Sequence, residues 1–525
     1  MNVTEIKRCG TTLTSAACKD ALKGNRAKYI ITVPSSENVM TQNIIRKGRL
    51  AGFDERALLF TSSIVADAWL FRYDILVDLA HARMLKKQAI ITQTTYKALN
   101  RSLFNINKRG YAQLPKDVDD VHIAIETALT DDVGTAQAGW LHVGRSRNDE
   151  VATCIRMAVR DELLVLEDAI LALQSTLLER AGDNVSTMMP GFTHLQHAQP
   201  TTLGHHLLAY YDALERDLAR LGHCYERTNQ SPLGAAAFAS TGWPLDRDSA
   251  ASALGFDGII ENSMDAVSTR DFVIEALSAA SNLMITLSRL AEEFILWSTS
   301  EFGYVELNDK FASTSSIMPQ KKNPDPLELI RAKTGAVIGA LTASLVICKA
   351  LPYSYNLDLQ EVTPHLHQAM GTTIDCTRIA DVVLQTVVVN RDKLAEMSSV
   401  GFTTATELAD TIARVTHVPF RTAHTIVGEV ARIGTCDLDT IDRVGIKYVG
   451  KLLSLLGLTA EDVREALDVS QNVAKRDVKG GPAVSEVTRM IKARRRRIRS
   501  QQRRLSLKQN ALQRAEKDLL DEYGD

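Results

Sequence analysis

The sequence predicts an all-α protein organised around a bundle of long helices, and three observations carry that prediction. Only 13 prolines occur in 525 residues, none of them between Pro115 and Pro190. Leu203, Leu207, Tyr211, Leu214, Leu218, Leu221 and Tyr225 recur in steps of four and three, the near-heptad stripe of a helix packed on other helices. Hydrophobic residues make up 45% of the chain and aromatics only 6%, an Ala- and Leu-rich mixture that favours helix over sheet.

Taken in order, residues 1–43 are Ser/Thr-rich without sustained periodicity and read as an extension to the fold. Over 44–144, short helical patterns such as Ile64–Leu85 and Asp120–Leu129, separated by glycines and polar turns, read as an N-terminal helical domain. The central domain, 145–398, holds the long helices. The first is expected to be capped by Asn148 or Asp149 and to run to about Leu178, about 45 Å of helix. The second starts at Pro200, which a first turn tolerates, and ends near Thr228. Three more are expected over Thr269–Ser300, Leu327–Leu351 and Thr363–Val389. Helices this long, with this many apolar faces, are expected to continue packing across a subunit boundary.

Glycines and Pro419 shorten the pattern over 399–492, which reads as a small helical C-terminal domain, and 493–525 reads as a charged tail. Lys492–Arg504 holds eight basic residues in thirteen. It reads as a solvated charged helix; the alternative is weak binding to a polyanion, without interleaved aromatics to stack bases.

Composition removes several classes. The formal charge is −2 and the pI about 6.7, so the chain as a whole is no polyanion binder, and neither a nucleic-acid nor a membrane partner is expected. The longest fairly apolar stretch without a charge, Thr334–Cys348, is shorter than the ~20 residues of a membrane helix, and no secretory apolar region is visible near residue 1. Seven dispersed cysteines without a C-x-x-C pair point to reduced thiols in the cytoplasm rather than disulfides or zinc. Neither a P-loop nor a dinucleotide-binding glycine pattern is present.

Chemistry concentrates in three polar segments at the ends of predicted helices. In Leu141-His-Val-Gly-Arg-Ser-Arg-Asn-Asp149, Arg145 and Arg147 flank a helix N-terminus and suit carboxylates, and Asn148 can cap the helix or donate to a ligand. Gly191-Phe-Thr-His-Leu-Gln-His-Ala-Gln-Pro200 is a polar loop in which His194, beside Thr193, can exchange a proton near neutrality. Phe311-Ala-Ser-Thr-Ser-Ser-Ile-Met-Pro-Gln-Lys-Lys-Asn-Pro-Asp325 packs hydroxyls and lysines into a loop able to close over a site.

These residues carry a resemblance. Ser315-Ser-Ile-Met-Pro-Gln-Lys-Lys-Asn-Pro-Asp325 resembles the signature loop of the aspartase/fumarase superfamily. Gly144-Arg-Ser-Arg-Asn-Asp-Glu-Val151, Phe192-Thr-His-Leu-Gln196, Ala198-Gln-Pro200, Ser231-Pro-Leu-Gly234, Asn262-Ser-Met-Asp-Ala266, Arg270-Asp-Phe-Val273, Tyr355-Asn356 and Asp358-Leu-Gln-Glu361 resemble the argininosuccinate lyase family within it. The resemblance spans about residues 43–492.

The resemblance implies three mainly helical domains, a homotetramer whose central helices form one large bundle, and active sites shared between subunits. It implies cleavage of argininosuccinate to L-arginine and fumarate, the last step of arginine biosynthesis, without metal or organic cofactor. It makes His194 and Ser315 the proton-transfer pair, leaving open which is base and which is acid, with Glu328 orienting His194. It places Ser63, Arg145, Arg147, Asn148, Thr193, Lys321, Asn323, Tyr355 and Gln360 on the substrate. Two positions depart from the family pattern: Thr363 stands where many relatives have a lysine, and Thr314 where a glycine often precedes the serine pair. Competing readings are another fumarate-releasing lyase of the superfamily and a non-catalytic protein on the same scaffold.

Overall fold

The computed structural model describes residues 54–521; the expected extension, 1–43, lies outside them. The chain opens with α1 (Glu55–Thr61), α2 (Phe71–Lys87), α3 (Gln93–Arg109) and α4 (Val121–Val133). Asp120 caps α4 by accepting the Ile123 N–H at 2.8 Å.

The long helix α5 (Arg147–Asp183) is capped by Ser146, two residues before the expected start, and Asp149 completes the capping box. Its 37 residues make a rod about 55 Å long. The polar segment that follows is a hairpin rather than a loop: β1 (Met188–Thr193) pairs antiparallel with β2 (Gln196–Thr202). Pro200 therefore lies in a strand, opposite Pro190, so both missing donors fall on one rung of the ladder. Thr202 caps α6 (Leu203–Thr228) instead, accepting the His205 N–H at 3.1 Å. All seven residues of the α6 stripe are buried.

The bundle is completed by α7 (Asp271–Trp297), α8 (Asp325–Cys348) and α9 (Val362–Thr386), which pack on one another and on α5 and α6. A two-rung pairing, β3 (Ser313–Thr314) with β4 (Lys322–Asn323), closes the loop before α8. Starting two residues earlier than expected, α8 takes in Asp325 and Glu328 and is, among the described residues, the one helix long and apolar enough in composition to cross a membrane. It buries Thr334, Val337, Ala340 and Ser344 but leaves Leu329, Ile338, Leu345 and Val346 uncovered.

A separate small core (Leu408, Ile412, Ile426, Val430, Ile441 and Leu453 at its centre) is built by α10 (Ala405–Thr416), α11 (Phe420–Ile433), α12 (Leu438–Val449) and α13 (Ala460–Leu467). The structure differs from the expected boundary at 492. Residues on either side of it form one helix, α14 (Val484–Asp521), packed mainly on α5. Ile491, Ile498, Leu505, Leu512 and Leu519 repeat every seven residues along its inner seam; the crowd of arginines around Ile498 hides this heptad when charge is counted alone.

Candidate functional site

The start of α5 is set by a carboxylate. Asp149 is buried and accepts N–H groups from Ser146 at 2.9 Å, Gly234 at 2.8 Å and Ala236 at 2.9 Å, which pins the Ser231-Pro-Leu-Gly234 turn against the helix. Burial pushes its carboxyl up to about 6 against those bonds. Gly234 adopts φ +85, and a Cβ there would lie 2.7 Å from the Arg247 side chain. Asn148, one residue away, donates to the Ala237 carbonyl at 3.0 Å.

Arg145 and Arg147 part company here. Arg147 lines a small cavity of about 30 Å³ together with Ser63, Asp67, Asp120, His122, Arg270, Tyr355, Gln360 and Thr363. Four predicted substrate residues, Ser63, Arg147, Tyr355 and Gln360, thus converge from segments far apart in sequence. Within this cavity Ser63 donates to Asp67, Arg147 to Asp120, and Gln360 to the Thr61 carbonyl at 3.0 Å. Burial pushes Asp67 up to about 6, despite the Ser63 hydroxyl and the His122 charge.

Arg145 lies behind the cavity rather than among its lining residues. It is buried and ion-paired to Asp78 and, at 3.0 Å, to Glu150. His122 pairs with Asp74 at 2.9 Å in the same cluster. The carboxylates of Asp74, Asp78 and Glu150 approach closely enough to hold a metal ion, but the Arg145 guanidinium, held between two of them, already supplies the cation. Burial pushes Asp78 up to about 7 and Glu150 up as well, with Arg145 opposing both.

Arg270 is the cavity residue that sequence reasoning left without a role, although its motif was visible. It is buried, and its Nη1 donates to the carbonyls of Val267 at 3.3 Å and Thr269 at 2.9 Å. Its Nε has no partner and no carboxylate pairs with it among the described residues. It stands in the same cavity as Thr363, where the expected lysine is missing. Asp67, Asp120 and His122 were also missed; Asp120 offered only a helix-cap signal.

The other predicted residues lie elsewhere. Thr193 and His194 are exposed at the tip of the β1–β2 hairpin. His194 and Leu195 both have left-handed backbones, φ +55 and +57, as a two-residue turn with matching twist requires. The hairpin is braced by Phe192, whose ring lies 6.0 Å from Phe302 and 5.1 Å from His197, and by His197 Nδ1, 2.9 Å from the Val400 carbonyl. Gly191 must stay small, since a Cβ would lie 2.5 Å from the Gln199 carbonyl oxygen.

In the loop before α8, Ser315 accepts the N–H groups of Ile317 at 3.3 Å and Met318 at 3.2 Å. Lys322 is tied to Glu306 at 2.9 Å and Asp309 at 2.7 Å, while Lys321 is exposed and has no ion pair among the described residues. Asn323 donates to Ser313 at 3.3 Å. Glu328 is exposed in the first turn of α8 with Arg331 at 4.0 Å, and no hydrogen bond joins it to His194 within the chain.

These segments fall at opposite ends of the bundle. Arg147 begins α5 and the hairpin follows its end, about 55 Å away by helical rise. Thr363 lies at the start of α9, whereas Val388–Val389, just beyond its end, pairs with Val305–Glu306 at the root of the Ser315 segment. One end therefore offers a cavity with two guanidinium groups, suited to a small acid; the other offers an exposed imidazole, an exposed ammonium and a half-buried hydroxyl.

Residues 48–339 match a family model described as lyase, and 402–474 match one described as argininosuccinate lyase C-terminal. A curated argininosuccinate lyase of Methanococcoides burtonii is 54% identical over 458 residues, 87% of this chain and 93% of its own. That of Methanosarcina mazei is 49% identical, covering 86% and 92%. Among solved structures, an EDDS lyase variant with bound fumarate aligns at 32% identity with a TM-score of 0.80, over 91% of this chain and 97% of its own.

Proposed function

The chain belongs to the argininosuccinate lyase family of the aspartase/fumarase superfamily, and from that premise we propose that it cleaves argininosuccinate to L-arginine and fumarate in sites assembled from several copies of itself. The observation that carries the shared site is the separation of the cavity from the hairpin along α5. No side-chain movement spans that length, so His194 meets Arg147 only where the hairpin end of one copy reaches the cavity end of another. The uncovered apolar residues of α8 suit burial against equivalent helices, and a homotetramer built on them gives each site neighbours.

The substrate brings three carboxylates. Arg147 and Lys321 hold two of them as charge-assisted partners, and Ser63, Asn148, Thr193, Asn323, Tyr355 and Gln360 supply hydrogen bonds. One member of the His194–Ser315 pair takes the proton from the carbon beside a carboxylate. The electron pair passes into that carboxylate, and Lys321 stabilises the resulting aci-carboxylate. When the pair returns, the C–N bond breaks, fumarate forms, and the other member protonates the departing guanidino nitrogen. Glu328 of a neighbouring copy orients His194. Arg145 takes no substrate contact in this reading; it neutralises the carboxylates behind Arg147. The sequence of proton movements calls for no metal or organic cofactor. The free thiols among the described cysteines agree with a cytoplasmic enzyme.

The test is to incubate the purified protein separately with argininosuccinate, adenylosuccinate and aspartate and follow fumarate absorbance. Fumarate from argininosuccinate alone supports the reading, and fumarate from adenylosuccinate alone overturns it. For the shared site, inactive His194→Ala and Arg147→Ala chains are mixed and allowed to exchange subunits. About one site in four should then hold both native residues; no regained activity would refute sharing.

A further inference from the structure

The basic run on α14 is not absorbed by the lyase site. From Val487 to Ala515 the helix contains no Asp or Glu. Three of its cations are neutralised by the body of the protein: Arg494 by Asp212 at 2.5 Å, Arg497 by Glu215 at 2.9 Å, and Lys508 by Glu167 at 3.9 Å. Lys492, Arg495, Arg496, Arg499 and Arg503 are exposed and have no ion pair among the described residues.

Their arrangement is regular. With the Ile491–Ile498–Leu505 seam facing the body, Lys492, Arg496, Arg499 and Arg503 fall within an arc of about 60° on the outer side. The paired cations flank the opposite side of the seam. Successive charges along this outer stripe are about 4.5–6 Å apart in rise.

We propose that the outer face of α14 is a binding surface for the phosphate backbone of nucleic acid, without base selectivity. A bare row of like charges repels itself and is best relieved by a polyanion whose charges also run in a line. Val484–Asp521 contains no aromatic residue, which removes base stacking. A bilayer fits less well: an interfacial helix buries its apolar side in lipid, whereas the apolar side of α14 is spent on the protein core and Leu507 is the large exposed exception within the basic region. Nor does residues 1–52 provide a complement, since that segment carries nine Lys and Arg against three Asp and Glu. This surface takes up the polyanion alternative of the sequence reading in place of the solvated helix.

The test uses the full chain and a labelled 20-base-pair DNA duplex of random sequence, with binding followed by fluorescence anisotropy across a salt series. Four phosphate contacts predict a log–log salt slope near −3.6, so affinity falls about 100-fold between 50 and 200 mM salt. The Lys492→Gln, Arg496→Gln, Arg499→Gln, Arg503→Gln variant should lose at least about tenfold in affinity at 50 mM salt and most of that slope, with lyase activity unchanged. A second duplex of different sequence should bind equally. Absence of salt-dependent binding, wild-type binding by the variant, or retention by phosphatidylserine vesicles without retention by the duplex would each overturn the proposal.

Discussion

The two ends of the bundle treat ionisable groups in opposite ways. At the cavity end Asp74, Asp78, His122, Arg145 and Glu150 are buried and paired with one another. At the hairpin end His194, Lys321 and Glu328 are exposed and Ser315 is half-buried, and His194 and Lys321 have no ion pair among the described residues. A single chain thus finishes the buried ionic cluster and leaves the groups proposed for proton transfer mostly open to water. In the proposed shared site a neighbouring copy would strip that water away, which would strengthen electrostatic stabilisation.

The sharpest way to break this contrast is to remove one group from each end. His194→Ala should lower turnover by about 10²–10⁴-fold yet change stability by no more than about 0.5 kcal/mol, because the ring is exposed and bonds to nothing in its own chain. Fumarate absorbance and urea unfolding of the same sample read both quantities. A variant that unfolds would erase the distinction. Arg145→Ala should do the reverse and destabilise the fold by about 3–5 kcal/mol, since it strands buried carboxylates. A shift in the urea midpoint checks it, and an unchanged midpoint would show that the cluster does not depend on this cation.

A gentler probe is pH. Burial alone would push His122 down, but Asp74, with Asp120 and Glu150, pushes it up to about 10. The folded protein therefore holds this proton more tightly than the unfolded chain, whose imidazole titrates near 6.5. The stabilisation is complete below that value and is lost as pH rises towards 10, at about 1.4 kcal/mol per pH unit. His122→Asn should flatten the stability curve between about pH 8 and 9.5. An identical slope in the variant would assign the titration to another group.

Much of the fold could be read from periodicity and caps. The α6 stripe is buried residue for residue, and the five long helices were each expected within a few residues of their ends. Misreadings have local causes. The hairpin tip was taken for loop and Pro200 for a helix start, because β1 and β2 are short, both contain proline, β2 is polar, and Thr202 is an inconspicuous cap. The heptad of α14 was hidden by arginines. Of the candidate site, the family resemblance named Ser63, Arg147, Tyr355 and Gln360, which the fold gathers around one cavity. It could not separate Arg145 from Arg147, because two residues apart at a helix start they point to different sides, one into the core and one into the cavity. The length of α5 was readable, about 45 Å expected against about 55 Å found, but not that this rod holds the cavity apart from the groups proposed for proton transfer. The pair Asp74 and Asp78, four residues apart on a helix whose buried face is otherwise apolar but for His81, was a readable warning of a charged core.

Leu329, Ile338, Leu345 and Val346 stand uncovered on a helix whose polar end carries Glu328. In the proposed tetramer, a chain released from its neighbours would therefore expose this oily strip to water while losing its reaction centre. Specific activity should then fall on dilution and recover on reconcentration, and heat resistance should climb with protein concentration. Near the concentration at which copies part, halving the amount of polypeptide would remove more than half of the catalyst.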